Sequence, residues 1–197
     1  ITPIGGGTEV LMPGGATWTY LDDGSDQGTA WKDMNFDDAS WKTGASPAGY
    51  GGISGLTLTT AILFGDDNSN KHITTYFRTT INLADPSVFE SFTFGLLVDD
   101  GAIVYVNGSP VIRDGFNTNT VVNYDTQADS NGGESTFDEF VVDSSFFIAG
   151  ENVISIEVHQ GSLTSSDMGF EMVLSATRNL IEGGEDTLFE WNADWES

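Results

Sequence analysis

Apolar and polar residues alternate with a period of two along most of the chain, and helical periodicity is nearly absent. TWTYL (17–21) alternates, and so does TTYFRTTINL (74–83). In SFTFGLLV (91–98), Phe92, Phe94, Leu96 and Val98 share one face, and AIVYVNG (102–108) follows at once. FDEFVVD (137–143), NVISIEVHQ (152–160) and FEMVLSATR (170–178) complete the series. Successive side chains of a strand point to opposite faces, so Ile154, Ile156 and Val158 are expected in the core. Ser155, Glu157 and His159 then face the other way. Gly, Asp and Asn separate the runs. Roughly eight to ten strands with such turns predict an all-β fold, an antiparallel β-sandwich. Pairing of early with late strands makes it a jelly roll rather than a meander. One helical turn is predicted at FDDASW (36–41), with Asp37 or Asp38 accepting a backbone N–H as its cap. Residues 112–136 hold few core candidates and read as one long loop. The domain is expected over residues 1–180, with 181–197 an acidic tail or linker that can also dock on it.

The 197 residues suffice for one substantial core. Charge narrows the partners: 30 acids against 6 Lys and Arg leave a net charge of −24. A nucleic-acid backbone requires clustered cations, so that class is excluded. The same deficit argues against an anionic membrane surface, and no apolar run approaches the roughly 18 residues of a membrane helix. Without cysteine there are no disulfides and no thiolate metal sites. Chemistry is scarce as well. GxSxG and P-loop motifs are absent, and two isolated histidines do not make a zinc centre. Among enzyme classes only hydrolysis of sugars by a carboxylate pair survives, and 30 acids make such pairs inevitable. Many glycines with few lysines suit a secreted or cell-surface protein, and Ile1 suits a processed chain or an excised domain.

Three stretches carry a resemblance: WTYLDDGSDQGTAWKDMNFDDASWKTGASPAGYG (18–51), then TTYFRTTINL with VDDGAIVYVNGSPVIR, then GENVISIEVHQ with SSDMGFEMVL. Their order resembles the galactose-binding-domain-like jelly rolls attached to bacterial secreted enzymes and adhesins, over residues 16 to 178. The resemblance implies a carbohydrate-binding module of a larger multidomain chain. It also implies a structural calcium that pins the N-terminal loop to the last strand. Asp22, Asp23 and Asp26 of LDDGSDQG, with Glu171 of GFEMVL, match that position, and calcium takes six to eight oxygens. The Asp99-Asp100-Gly101 step is similar to a second family, the lectin domains related to the N-terminal module of anthrax protective antigen. There an Asp-Asp pair joined by a cis peptide holds a calcium ion, and the ion holds sugar hydroxyls.

From the residues alone, Asp99 and Asp100 look like the tip of a hairpin. Either they form a tight turn, to which Asp and Gly are suited, or they form a loop that binds a hard cation or sugar hydroxyls. Asn107 would lie on the same hairpin. Arg78 sits mid-strand in a chain with few cations, so it is expected to pair with a carboxylate, at the binding face. His159 ends a strand, where it either donates to a sugar or bonds a neighbouring loop. Trp18 and Trp41 are assigned to the core. Trp31 and Tyr50 are the stacking candidates, and Trp191 and Trp195 the most exposed rings. Together these expectations describe a non-catalytic, calcium-containing module that binds a polysaccharide or glycan. The alternatives are a structural spacer with calcium-rigidified loops and a carboxylate glycosidase.

Overall fold

A computed structural model describes residues 6–53, 55–129 and 136–179. Within them the strands are β1 (Thr8–Met12), β2 (Thr17–Leu21), β3 (Lys42–Ala45), β4 (Ala48–Tyr50), β5 (Thr60–Ala61) and β6 (Thr74–Leu83). They continue with β7 (Phe89–Asp99), β8 (Gly101–Val106), β9 (Ser109–Asp114), β10 (Asp138–Val142), β11 (Gly150–His159) and β12 (Met168–Arg178). One sheet runs β10-β7-β12-β4-β5, with β1 also on β12. The other runs β3-β2-β6-β11-β8-β9. All pairings are antiparallel except β4 with β5, which is parallel. Early strands pair with late ones, β1 with β12, as the jelly-roll expectation requires.

The period-two runs do what their pattern dictates. Phe92, Phe94, Leu96 and Val98 of β7 and Phe170, Met172 and Leu174 of β12 fill the space between the sheets. Trp18, Phe77, Ile154, Ile156 and Val158 meet them from the second sheet. Phe170 sits at the centre, with ring centroids 5.1 Å from Trp18 and 4.6 Å from Phe77, both edge-on. Edge-to-face contacts of this kind add to the area that the rings bury.

Burial on the second sheet is two-sided. From Asn152 to His159 every residue of β11 is buried, and so are all of β8 and Thr74–Arg78 of β6. The outer face of this sheet therefore lies under a third layer. That layer is built from Trp31, Phe36 and Trp41 on one side and from Phe116, Val122 and Tyr124 on the other.

Several expectations change here. β7 and β8 do not pair: β7 belongs to the first sheet and β8 to the second. Asp99-Asp100 is thus a corner where the chain passes between sheets, not a hairpin tip, and its peptide bond is cis. Alternation around Asp-Asp-Gly looks the same in either arrangement, because the strands on both sides are buried on both faces. Asn107 is in the β8–β9 turn, at the opposite end of β8 from the corner, so the two do not share a loop. Residues 36–41 form no helix. Asp37 accepts the Ala39 N–H at 3.1 Å, a local turn, and the only helical turn in this stretch is at Ala30–Lys32. The long loop is interrupted early by β9. The short strands β4 and β5 escaped the pattern because Gly-rich AGY has no alternation. Gly49 is required there: a Cβ would meet the Met168 carbonyl oxygen at 2.3 Å, so only glycine lets β4 approach β12.

Truncating the central ring should be costly. Phe170→Ala is expected to lower unfolding stability by about 3–5 kcal/mol in a denaturant titration. A loss of under about 1 kcal/mol would mean that Phe170 does not hold the sheets together.

Candidate functional site

The outer face of the second sheet is organised in cross-strand rows. Thr74, His159 and Gly101 lie in register, then Tyr76, Glu157 and Ile103, then Arg78, Ser155 and Tyr105. Trp31, carried by the Ala30–Lys32 turn, lies over the second and third rows. Its ring is 4.8 Å from that of Tyr76 and 5.6 Å, edge-on, from that of Tyr105. Between these rings and the loop at 122–124 is a polar cleft of about 160 Å³. Asp26, Thr29, Lys32, Asn123, Tyr124 and Glu157 complete its wall.

Glu157 is buried, yet both its oxygens have neighbours. The Tyr105 hydroxyl donates to Oε1 at 2.6 Å, and Oε2 is 3.5 Å from His159 Nε2. Lys32 places its ammonium 4.2 Å from the centre of the Tyr105 ring. Burial pushes the Tyr76 and Tyr105 hydroxyls well above the ordinary phenol range, and the charge of Glu157 adds to the effect. Burial raises Tyr124 as well, with Asp26 and Asp23 contributing. The cleft thus presents neutral phenols, two carboxylates and one ammonium.

Arg78 is a clamp. Its Nε donates to Asp38 Oδ2 at 2.9 Å, its Nη1 donates to the carbonyls of Trp31 and Asp33, and its guanidinium lies over Phe36. The expected carboxylate partner is present, but the arginine is consumed in holding the 30–41 segment rather than facing a ligand. His159 is not at the surface. It is fully buried, with Nδ1 at 2.8 Å from the Thr126 carbonyl and 3.0 Å from Thr74 Oγ1, so it does bond the neighbouring loop. Asn107 ties its turn to β11, accepting the Val153 N–H and donating to Asn152 and Phe146. Trp31 is 1% exposed and Tyr50 8%, so neither offers an open stacking face, although Trp31 floors the cleft. Trp18 and Trp41 are core, as expected. Trp191 and Trp195 lie outside the described residues.

Asp99 and Asp100 form a second locus with Tyr50. Asp100 Oδ2 accepts the Gly161 N–H at 2.6 Å. Burial raises the Tyr50 hydroxyl, and the charges of Asp100, Asp167 and Asp99 act in the same sense. The fully buried Gln160 side chain lies beside that hydroxyl and donates Nε2 to the His72 carbonyl.

The calcium set expected in the N-terminal loop does not fit the ion. Asp22 Oδ1 is 2.6 Å from the Lys42 ammonium, and Oδ2 accepts the Leu63 N–H at 2.7 Å. Glu171 accepts from Ser46 Oγ and the Met172 N–H through Oε1, and from the Gly15 N–H through Oε2. Asp23 and Asp26 each close a local turn, onto Ser25 and Gly28. Glu171 ties the turns at Gly15 and Ser46 to the last strand, and the 21–28 loop is held through Asp22 by the Lys42 ammonium and the Leu63 N–H. Among the described residues no group of three or more acids or histidines is placed to hold a metal. Sequence reasoning missed Glu157, Tyr76, Tyr105 and Lys32. The signal was Glu157, an outward acid between the core residues Ile156 and Val158.

No family model matches the chain, and no curated protein does. Solved structures do match in fold. A Bacteroides uniformis β-glucuronidase 2, covalently bound to cyclophellitol-6-carboxylate aziridine, aligns with a TM-score of 0.60 at 16% identity, over 88% of this chain and 18% of that one. A glycosyl hydrolase family 2 member from Bacteroides cellulosilyticus gives 0.52 at 15% identity, over 87% and 21%. A Ruminococcus gnavus β-glucuronidase gives 0.53 at 12% identity, over 90% and 30%. The chain has the fold of a β-sandwich domain in these enzymes and spans a third of their length or less.

Two outcomes follow. Glu171→Ala strands three donors and should cost about 1–3 kcal/mol, with or without a chelator. An unchanged melting temperature would remove Glu171 from the loop anchor. A tyrosine whose folded pKa is raised lends stability that is full below pH 10 and falls as pH rises further. Absorbance at 295 nm should therefore show Tyr50, Tyr76 and Tyr105 resisting ionisation near pH 10 until the chain unfolds. Ionisation of all tyrosines together near pH 10 in the folded protein would contradict the burial.

Proposed function

We propose that this chain is a non-catalytic carbohydrate-binding accessory module of a larger, secreted or cell-surface glycan-active protein. The observation that carries the reading is the polar cleft floored by Trp31, Tyr76 and Tyr105. Aromatic faces beside hydrogen-bonding groups are what a sugar ring needs, since one face of a pyranose is apolar and its edge is polar. Sharing a fold with domains of glycosidases is compatible with this role and does not establish it, because folds host many functions. The carboxylates of the cleft are Glu157, held by Tyr105 beside His159, and Asp26, exposed and turned onto Gly28. Neither is poised as an acid opposite a free base, so hydrolysis is not proposed.

Thr29 is exposed at the rim, so Thr29→Trp should block the mouth without touching the core. On a glycan array this variant is expected to lose the binding that the parent chain shows, at an unchanged melting temperature. Retained binding would move the site elsewhere.

The corner at Asp99-Asp100 supports a second, separate reading: a calcium ion seated there. What favours it is the pair of carboxylates near the buried Tyr50 hydroxyl and the fully buried side-chain amide of Gln160, two further oxygens. Hard cations take such mixed oxygen sets. A ligand that binds only the folded state raises its stability, so millimolar calcium should raise the melting temperature. Gln160→Leu should abolish the rise and Glu171→Gln should keep it. No rise in the parent chain, or a rise that survives Gln160→Leu, would sink the corner site.

A further inference from the structure

The cleft has a chemical preference written into its walls. Glu157 is 7% exposed and contributes a carboxylate whose Oε2 has only His159 Nε2 near it, at 3.5 Å and short of a hydrogen bond. Asp26 adds a second negative charge at the rim. Three aromatic residues, Trp31, Tyr76 and Tyr105, line the same cleft as Glu157. The negative faces of aromatic rings attract cations, most strongly where water is excluded. An ammonium is already seated here: Lys32 Nζ is 4.2 Å from the centre of the Tyr105 ring. Lys32 is a half-buried side chain on a three-residue turn at the mouth, so it can swing outward on its flexible stem. Arg113 reaches Tyr105 from the β9 side, but its Nη2 donates to the Thr120 carbonyl and it does not line the cleft. Long-range charge points the same way. A net charge of −24 repels polyanions and gathers cations from solution.

We propose that the cleft selects an amine-bearing sugar, a hexosamine unit with a free ammonium group. This rests on the glycan-binding reading and narrows its ligand class. The ammonium of the sugar takes the place of the Lys32 ammonium over Tyr105 and faces Glu157, while the ring fills the cleft between the 26–32 and 122–124 segments. Lys32 is then a tethered competitor that holds the box closed to weaker ligands. The small volume, about 160 Å³, suits one sugar ring rather than an extended oligosaccharide lying flat.

Calorimetric titration at low salt tests it with four probes: glucosamine oligomers, N-acetylglucosamine oligomers, a neutral glucan and galacturonate oligomers. The free-amine oligomer is expected to bind at least about tenfold more tightly than the acetylated one. Glu157→Gln keeps an acceptor for the Tyr105 hydroxyl and should weaken amine binding by about tenfold or more. Lys32→Met removes the competitor and should strengthen it. Both variants are checked for an unchanged melting temperature. Lys32→Met alone decides the matter if Glu157→Gln fails to fold. Equal or tighter binding of the acetylated or neutral oligomers overturns the amine preference and leaves the glycan reading standing. Binding of galacturonate that Lys32→Met abolishes overturns it too, making the lysine the partner of an anion. If none of the four sugars binds, the amine preference and the glycan reading fall together.

Discussion

Everything above the second sheet depends on one constraint: that sheet is buried on both faces, yet its outer face carries polar side chains. A buried polar group without a partner costs free energy that no apolar contact returns. Thr74, Arg78, Glu157 and His159 must therefore be satisfied by whatever covers them. The cover comes from two segments, 30–41 and 116–126, and their backbone carbonyls supply most of the partners. Arg78 reaches the first segment, Thr74 and His159 the second. The Ser155 hydroxyl, in the third row, and His159 Nε2 are exceptions, buried without a hydrogen-bond partner. The third layer is thus ordered by side chains of the sheet rather than by strands of its own. The cleft is the place where the two covering segments fail to meet.

That origin explains how much of the molecule could be read from the chain. The sandwich was legible because its long strands alternate, and alternation directly reports one apolar face. Trp18, Phe92, Ile154 and Ile156 were placed correctly by period two alone. The third layer was not legible, because its residues follow no period. Trp31 and Trp41 are held by ring contacts to strands far away in sequence. Whether an isolated tryptophan covers a sheet or faces water depends on those distant strands.

The acids were misread for a related reason. LDDGSDQG has the composition of a cation loop, but composition does not say what each oxygen accepts. Asp22 is met by Lys42 from β3 and by a backbone N–H at Leu63, and neither partner lies near it in sequence. Glu171 was expected to face the 21–28 loop, and it instead holds the turns at Gly15 and Ser46 to the last strand. At Asp99-Asp100 a corner between sheets was taken for a hairpin tip. Two neighbouring buried strands can lie in one sheet or in two, and only pairing with β11 and β12 decides between them.

The pairing of β1 with β12 has a mechanical consequence. Thr8 faces Thr177 across the ladder, and the strands run antiparallel, so any chain preceding the first and following the second would leave from the same end of the sheet. Tension applied there would load the hydrogen bonds one pair at a time, from the open end inward, as a zipper is drawn. A domain attached in this way hangs beside the line of force and adds little to its length. A strong pull there would peel β1 away before it strained the sandwich.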